Sequence, residues 1–252
     1  MPASEYAIPS HPLRLGETLH IAIRLFAALL LPIVAIMVVI YLPLELFLLL
    51  NDMTVDFTAP NFSRDAFRLS QAFEITFGVL GTVAVLYLTR QKIKGTIDWK
   101  EITRHSLSRW AQTALTMILA SITVVVLLVL GIIPGIIWAF YYVFITNAVV
   151  LRGYSGKQAL NYSKSLVKGR WWRTAGFFIT FFLIAILPPI LLSIINGLLV
   201  EFIDLSAFAM QAMDLFVSFF SYVCLSFPTI AGLVLFLNTE ACVKRERIVL
   251  AS

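Results

Sequence analysis

The chain has 252 residues, of which 60% are apolar and 13% charged, and it carries a net charge of +5. Soluble domains hold about 25% charged residues, so this balance excludes an ordinary water-soluble fold. The basic excess sits in short loops beside apolar runs, where it serves orientation and contact with anionic headgroups rather than nucleic acid.

Six apolar runs cover residues 25–50, 72–90, 111–132, 135–151, 174–199 and 211–239. Each is near or above the ~18–20 residues a helix needs to cross a bilayer core. The expectation is an all-α integral membrane protein forming one domain over residues 1–252. Its six transmembrane helices should pair as three hairpins, with short amphipathic helices on the cytosolic face. Seventeen of nineteen Lys and Arg residues fall on one side of the membrane so defined; only Arg64 and Arg68 fall on the other. The basic side sums to +11 and the other to −6, which together give the +5 of the chain. Basic loops remain in the cytosol, so a multi-pass protein of the bacterial inner membrane with cytosolic N- and C-termini is expected.

In chain order, the first run is too long for a signal-peptide core and has no small-residue cleavage site after it, so it should be retained. Glu45 follows Pro43 near its outer end. The outer loop 51–71 is polar and acidic, with a turn at Pro60-Asn61. Asn61-Phe62-Ser63 is a glycosylation pattern, but Asn161-Tyr162-Ser163 repeats it on the opposite side, so one of the two is accidental. Glu74 lies near the outer end of the second run. Asp98-Trp99-Lys100-Glu101 then opens a basic surface helix running to Trp110. Gly131-Ile132-Ile133-Pro134-Gly135 reads as the corner of a helical hairpin, since proline ends a hydrogen-bond ladder and glycine permits a reversed backbone.

Ser155-Gly156-Lys157-Gln158 is a capping-box pattern opening a second surface helix, 156–168. Ala159, Leu160, Ser163, Leu166 and Val167 recur at helical spacing, with Lys157, Asn161, Lys164 and Lys168 opposite. Gly169 can end this helix. Arg170-Trp171-Trp172-Arg173 follows at the headgroup level that tryptophan favours. An amphipathic helix lying on the inner leaflet is expected here. Glu17 and Glu101 each lie nine residues before an aromatic (Phe26, Trp110), and Gln158 lies further before Trp171. A surface helix followed by a two-helix hairpin, present three times, accounts for this; so does any charged helix feeding a span. The loop 200–210 carries Glu201 and Asp204 and no cation. Cys224 and Cys242 are five helical turns apart, about 27 Å by helical rise, which excludes a bridge between them.

The segment 134–172 (PGIIWAFYYVFITNAVVLRGYSGKQALNYSKSLVKGRWW) resembles the membrane domain of glycerophosphoryl diester phosphodiesterases and its stand-alone, largely uncharacterised six-span bacterial relatives. The matching positions are Pro134, Gly135, Ala159, Leu160, Ser163, Leu166, Gly169 and Trp171. The resemblance implies a six-helix membrane domain with few established activities. Where the phosphodiesterase is present, its catalysis lies in a separate soluble barrel, for which this chain has no room, so no catalytic residue carries over.

Intramembrane chemistry usually needs ionisable groups facing a cavity, and the middles of the six runs contain none. Glu45 and Glu74 can both reach the outer interface; if they meet instead, they could hold a cation between the first two helices. His11, His20 and His105 lack ligand spacing, and no zinc, phosphate-loop or nucleophile-elbow pattern is present, so neither a metal nor a cofactor is expected. Pro32, Pro43, Pro188, Pro189 and Pro228 interrupt runs, either as simple kinks or, near the fifth and sixth spans, as the edges of a lipid cleft. The leading expectation is a non-enzymatic membrane protein that organises lipid or a partner membrane protein. Its headgroup contacts would be Lys157, Lys164, Lys168, Arg170, Trp171, Trp172 and Arg173. The alternative is a transporter subunit moving a lipid or amphiphile through that cleft. Expected partners are anionic membrane lipids, another membrane protein or further copies of the chain.

Overall fold

The structure, a computed structural model, describes residues 8–9, 11–51, 53, 63–202 and 206–251. The Pro60-Asn61 turn, Asn61 and Phe62 of the first glycosylation pattern, and Asp204 lie outside the described residues. The described residues are helical with no strand, and six stretches are long and apolar enough to cross a membrane. The fold is therefore an all-α membrane protein.

Helix α1 (Leu15–Leu50) buries Thr18, Ala22, Leu25, Leu29, Ile33, Met37, Tyr41, Leu44 and Leu48. These steps of three and four residues make one stripe along the helix. Leu31, Val39 and Leu50 on the remaining surface are more than three-quarters exposed, an arrangement that suits lipid and not water. At 36 residues α1 is about 54 Å long, beyond a ~30 Å hydrocarbon core, so its polar first turns project past it.

The second span comprises α2 (Arg64–Phe73), a π-helical turn (Glu74–Gly78) and α3 (Val79–Lys94). It packs on α1 and on α4 (Trp99–Leu130). Asp98 caps α4 by accepting from the Lys100 and Glu101 N–H groups at 2.9 and 3.4 Å. The basic segment 98–110 is thus not a separate surface helix: no Gly or Pro interrupts Trp99–Leu130, and the charged turns continue directly into the span.

The hairpin corner is narrower than the sequence suggests. Gly131 alone separates α4 from α5 (Ile132–Tyr141), and Pro134 is the third residue of α5, where a backbone N–H has no intrahelical partner to lose. Gly135 serves close packing: a Cβ there would lie 2.4 Å from the Leu128 side chain and 2.9 Å from its Cα. The fourth span then breaks at 142–144 before α6 (Ile145–Arg152).

Helix α7 (Gly156–Val167) is amphipathic as expected, with Ala159, Leu160, Ser163, Leu166 and Val167 buried. Protein rather than lipid covers that face: Ala159 and Leu160 pack with Ala120, Ile145, Ala148 and Val149. The capping box does not form, because the Ser155 side chain makes no cap bond. Thr116 Oγ1 of α4 instead accepts the Gly156 N–H at 3.0 Å. Gly169, at φ +80°, ends the helix in the left-handed region, where glycine is favoured.

Helix α8 (Trp171–Phe202) stays helical through Pro188 and Pro189. The sixth span is in two parts, α9 (Ala207–Leu225) and α10 (Phe227–Ala251), separated at Ser226. Helix α10 is the centre of the bundle, packing on α1, α3 and α8. Phe227, Ile230, Ala231, Leu233, Val234, Leu235 and Phe236 are all nearly inaccessible. A segment apolar all round belongs in a core or in lipid, and here neighbouring helices cover it. No disulfide joins Cys224 and Cys242.

The proposed threefold unit is uneven. His105 stacks on Tyr87 with centroids 3.9 Å apart and meets the Val150 carbonyl through Nε2 at 3.1 Å, whereas His20 is exposed. Glu101 accepts from Tyr87 and Gln91, whereas Glu17 accepts the Arg14 N–H of its own helix start.

Candidate functional site

Two clusters follow from this architecture, one near each end of the bundle. At the end shared by residues 11–14, the 152–170 segment and the end of α10, the predicted basic residues divide into two groups. Arg170 forms an ion pair with Glu246 of α10. Arg173 donates to the Leu13 carbonyl at 2.7 Å and lies over the Phe177 ring. Lys164 sits 4.1 Å above the centre of the Trp138 ring, a cation–π contact. Trp171 donates through Nε1 to the Ile137 carbonyl at 3.1 Å and meets Phe140 edge-on. These four residues join α7 and α8 to the rest of the bundle.

The others are exposed, Trp172 meeting Trp171 edge-on at 4.7 Å between centroids. Lys157 and Lys168 are exposed and make no ion pair among the described residues. Trp172 is 84% exposed. The same end carries a cluster that the loop charges did not single out: Arg152 of α6, Tyr162 of α7 and Glu240 of α10, joined through the Glu240 carboxylate.

Toward the other end lie Glu45 of α1 and Glu74 of the π turn. Each is taken by a tyrosine from another element. Tyr41 of α1 donates to Glu74 Oε2 at 2.8 Å, and Tyr222 of α9 donates to Glu45 Oε1 at 2.6 Å. The two rings stack with centroids 3.8 Å apart and planes 11° apart. The carboxylates are therefore linked through a tyrosine pair that ties α1, the π turn and α9 together. A cavity of about 140 Å³ adjoins the pair, lined by Tyr41, Glu74, Gly78, Thr82, Tyr222 and Ser226.

Two helix irregularities shape it. Ser226 marks the gap between α9 and α10, and the π turn places Glu74 over Gly78, where a Cβ would meet the carboxyl carbon at 2.5 Å. Trp110 of α4 donates to the Thr76 carbonyl at 2.6 Å within that turn. Nothing in the apolar runs selects Tyr41 or Tyr222, since a tyrosine there also reads as packing. Their one visible signal was a phenol that needs an acceptor once buried.

Comparison with protein families, with curated proteins and with solved structures finds no match to this chain. The fold itself defines the class: an all-α protein with six membrane-spanning stretches.

Proposed function

We propose that this is a non-enzymatic multi-pass protein of the bacterial cell membrane that organises anionic lipid at its cytosolic face, with both termini in the cytosol. The reading rests on Lys157, Lys168 and Trp172. They remain exposed and make no ion pair or side-chain hydrogen bond among the described residues, while the neighbouring Lys164, Arg170, Trp171 and Arg173 are engaged within the protein. Lys157 and Lys168 sit at opposite ends of α7, about 16 Å apart by helical rise, a separation that spans more than one headgroup. Near an anionic leaflet each such cation contributes up to ~1 kcal/mol, less at high salt.

The test replaces Lys157 and Lys168 with Gln and Trp172 with Ala, leaving the paired arginines to preserve orientation. Mass spectrometry of the protein released with its lipids should find less co-purified phosphatidylglycerol and cardiolipin than in wild type. An unchanged lipid complement would sink the reading and leave these residues as orientation signals.

The transporter reading draws on the helix gap at Ser226 and the cavity beside it. At about 140 Å³ that space is smaller than the ~300–1,000 Å³ of an ordinary small-molecule pocket. Beside the fifth and sixth spans, α8 runs unbroken through Pro188-Pro189 and is bridged to α9 by Asn196 Nδ2 donating to Asp214 at 2.9 Å. Lipid organisation is therefore the better supported of the two.

A further inference from the structure

The Arg152–Glu240 pair closes 88 residues of chain and is two-pronged: Nε donates to Oε1 at 2.8 Å, and Nη2 donates to Oε2. Tyr162 donates its phenol to the same carboxylate, so Glu240 is held by three donors. Burial and the adjacent carboxylate push the Tyr162 phenol well above its usual range, which keeps it a donor at neutral pH. A carboxylate saturated in this way fixes the plane of a guanidinium and leaves its other edge for a further acceptor.

Arg152 also lines open space. Arg152, Tyr154, Tyr162, Glu240 and Lys244 line a cavity of about 610 Å³, whose apolar wall includes Ile93 and Leu237. Among the described residues Arg152 Nη1, the Lys244 ammonium and the Tyr154 hydroxyl have no acceptor. Arg152 and Lys244 against Glu240 leave the lining at +1, which complements a singly charged anion. A planar guanidinium held in place beside a mobile ammonium is suited to the oxygens of a phosphate.

We propose that this cavity binds the phosphate of a phosphodiester, with Arg152 and Lys244 as its donors, Glu240 as the residue that positions Arg152, and the Ile93–Leu237 wall beside the organic substituent. A membrane phospholipid and a soluble phosphate ester share this chemistry. The proposal deepens the lipid reading, and it differs from the α7 surface in being a socket for one molecule rather than an attraction for several.

The experiment uses the full chain in detergent micelles, stripped of bound lipid. It is titrated separately with phosphatidylglycerol, with diacylglycerol, which lacks the phosphate, and with inorganic phosphate, and is read by native mass spectrometry and by melting temperature. Wild type should take up one phosphatidylglycerol in preference to diacylglycerol. Lys244→Gln should weaken that uptake by about tenfold or more, as loss of a charge-assisted contact does. Arg152→Gln combined with Glu240→Gln should do the same without stranding either charge. Lys244 is exposed, so its variant reports even if the double variant folds poorly.

Displacement of the lipid by inorganic phosphate, or a melting shift with phosphate alone, assigns the site to a soluble ester. Uptake of phosphatidylglycerol that free phosphate does not displace assigns it to a lipid. Equal uptake of diacylglycerol and phosphatidylglycerol, or wild-type affinity in Lys244→Gln, would overturn the proposal. Lys157→Gln with Lys168→Gln is the control. If it loses loosely held lipid but keeps the single tight one, the socket and the surface are separate; if it changes nothing while Lys244→Gln loses the tight one, the surface reading alone fails.

Discussion

Replacing Ser163 by alanine tests how the fourth span tolerates its own break. Between α5 and α6 the helical ladder lapses at 142–144, leaving backbone groups that lipid cannot satisfy. Ser163 of α7 supplies both missing partners. Its hydroxyl donates to the Tyr141 carbonyl at 2.7 Å and accepts the Phe144 N–H at 3.2 Å. Ser163 and Phe144 are both fully buried, so water does not replace the lost bonds. A buried polar group left unpaired costs about 1–3 kcal/mol, and two are stranded here, so Ser163→Ala should destabilise by roughly 2–5 kcal/mol.

Against a typical total of about 5–15 kcal/mol, that is a loss visible in any reversible unfolding assay, for example titration with SDS in mixed micelles. Ser165→Ala is the internal control. Ser165 is two residues away and exposed, and it donates only to the Tyr162 carbonyl, so its loss should cost less than about 0.5 kcal/mol. Ser163→Thr keeps the hydroxyl and should lie between them. Ser163→Ala within about 0.5 kcal/mol of wild type would refute the claim that α7 repairs the break.

Three further outcomes are expected. In a chain with Cys224 and Cys242 replaced, cysteines at Ser63 and Ser206 should react with an impermeant thiol reagent outside intact cells, and one at Ser155 should not; the reverse pattern would invert the topology. Gly135→Ala should cost about 1–3 kcal/mol because the Leu128 Cα stands in its way, while Pro134→Leu should change melting little; equal effects would place the corner elsewhere. Gly78→Ala should displace the Glu74 carboxylate and break its bond from Tyr41, so adding Tyr41→Phe should cost almost nothing more. Full additivity of the two in melting experiments would show that they are not coupled.

The positions of the spans were legible because lipid imposes a length and an apolar composition, and both are visible residue by residue. The interruptions were not. Apolar content falls at Trp110, yet α4 is continuous there, because a run of charge does not break a helix when neither Gly nor Pro intervenes. Pro188-Pro189 breaks nothing, while Tyr142-Val143-Phe144, with no breaker residue, does. The cause of that second break is tertiary: Ser163 offers the backbone an alternative to its own ladder, and no local propensity records the offer. At Ser226 the sequence did carry a mark, Pro228, whose missing N–H cannot bond the carbonyl four residues back and so interrupts the ladder across the gap.

Charge was legible in number and not in commitment. Counting Lys and Arg groups the basic loops at one end of the molecule, and the structure joins residues 13, 152, 170, 173, 240 and 246 at that same end. The count treats every cation alike, however, and the pairs that distinguish them lie far apart in sequence: Arg170 with Glu246 across 76 residues, Arg173 with the Leu13 carbonyl across 160. Glu45 and Tyr222, at the other end, are separated by 177. A cation that already holds the bundle together cannot be drawn off by a ligand without losing that contact, whereas Lys157, Lys168 and Lys244 lose nothing of the kind. Subtracting the committed charges therefore removes Lys164, Arg170 and Arg173 from the basic cluster at α7 and leaves Lys157 and Lys168 there. For a ligand held by the α7 surface or by the cavity beside α10, the residues to test are Lys157, Lys168, Lys244 and the edge of Arg152 that Glu240 does not take.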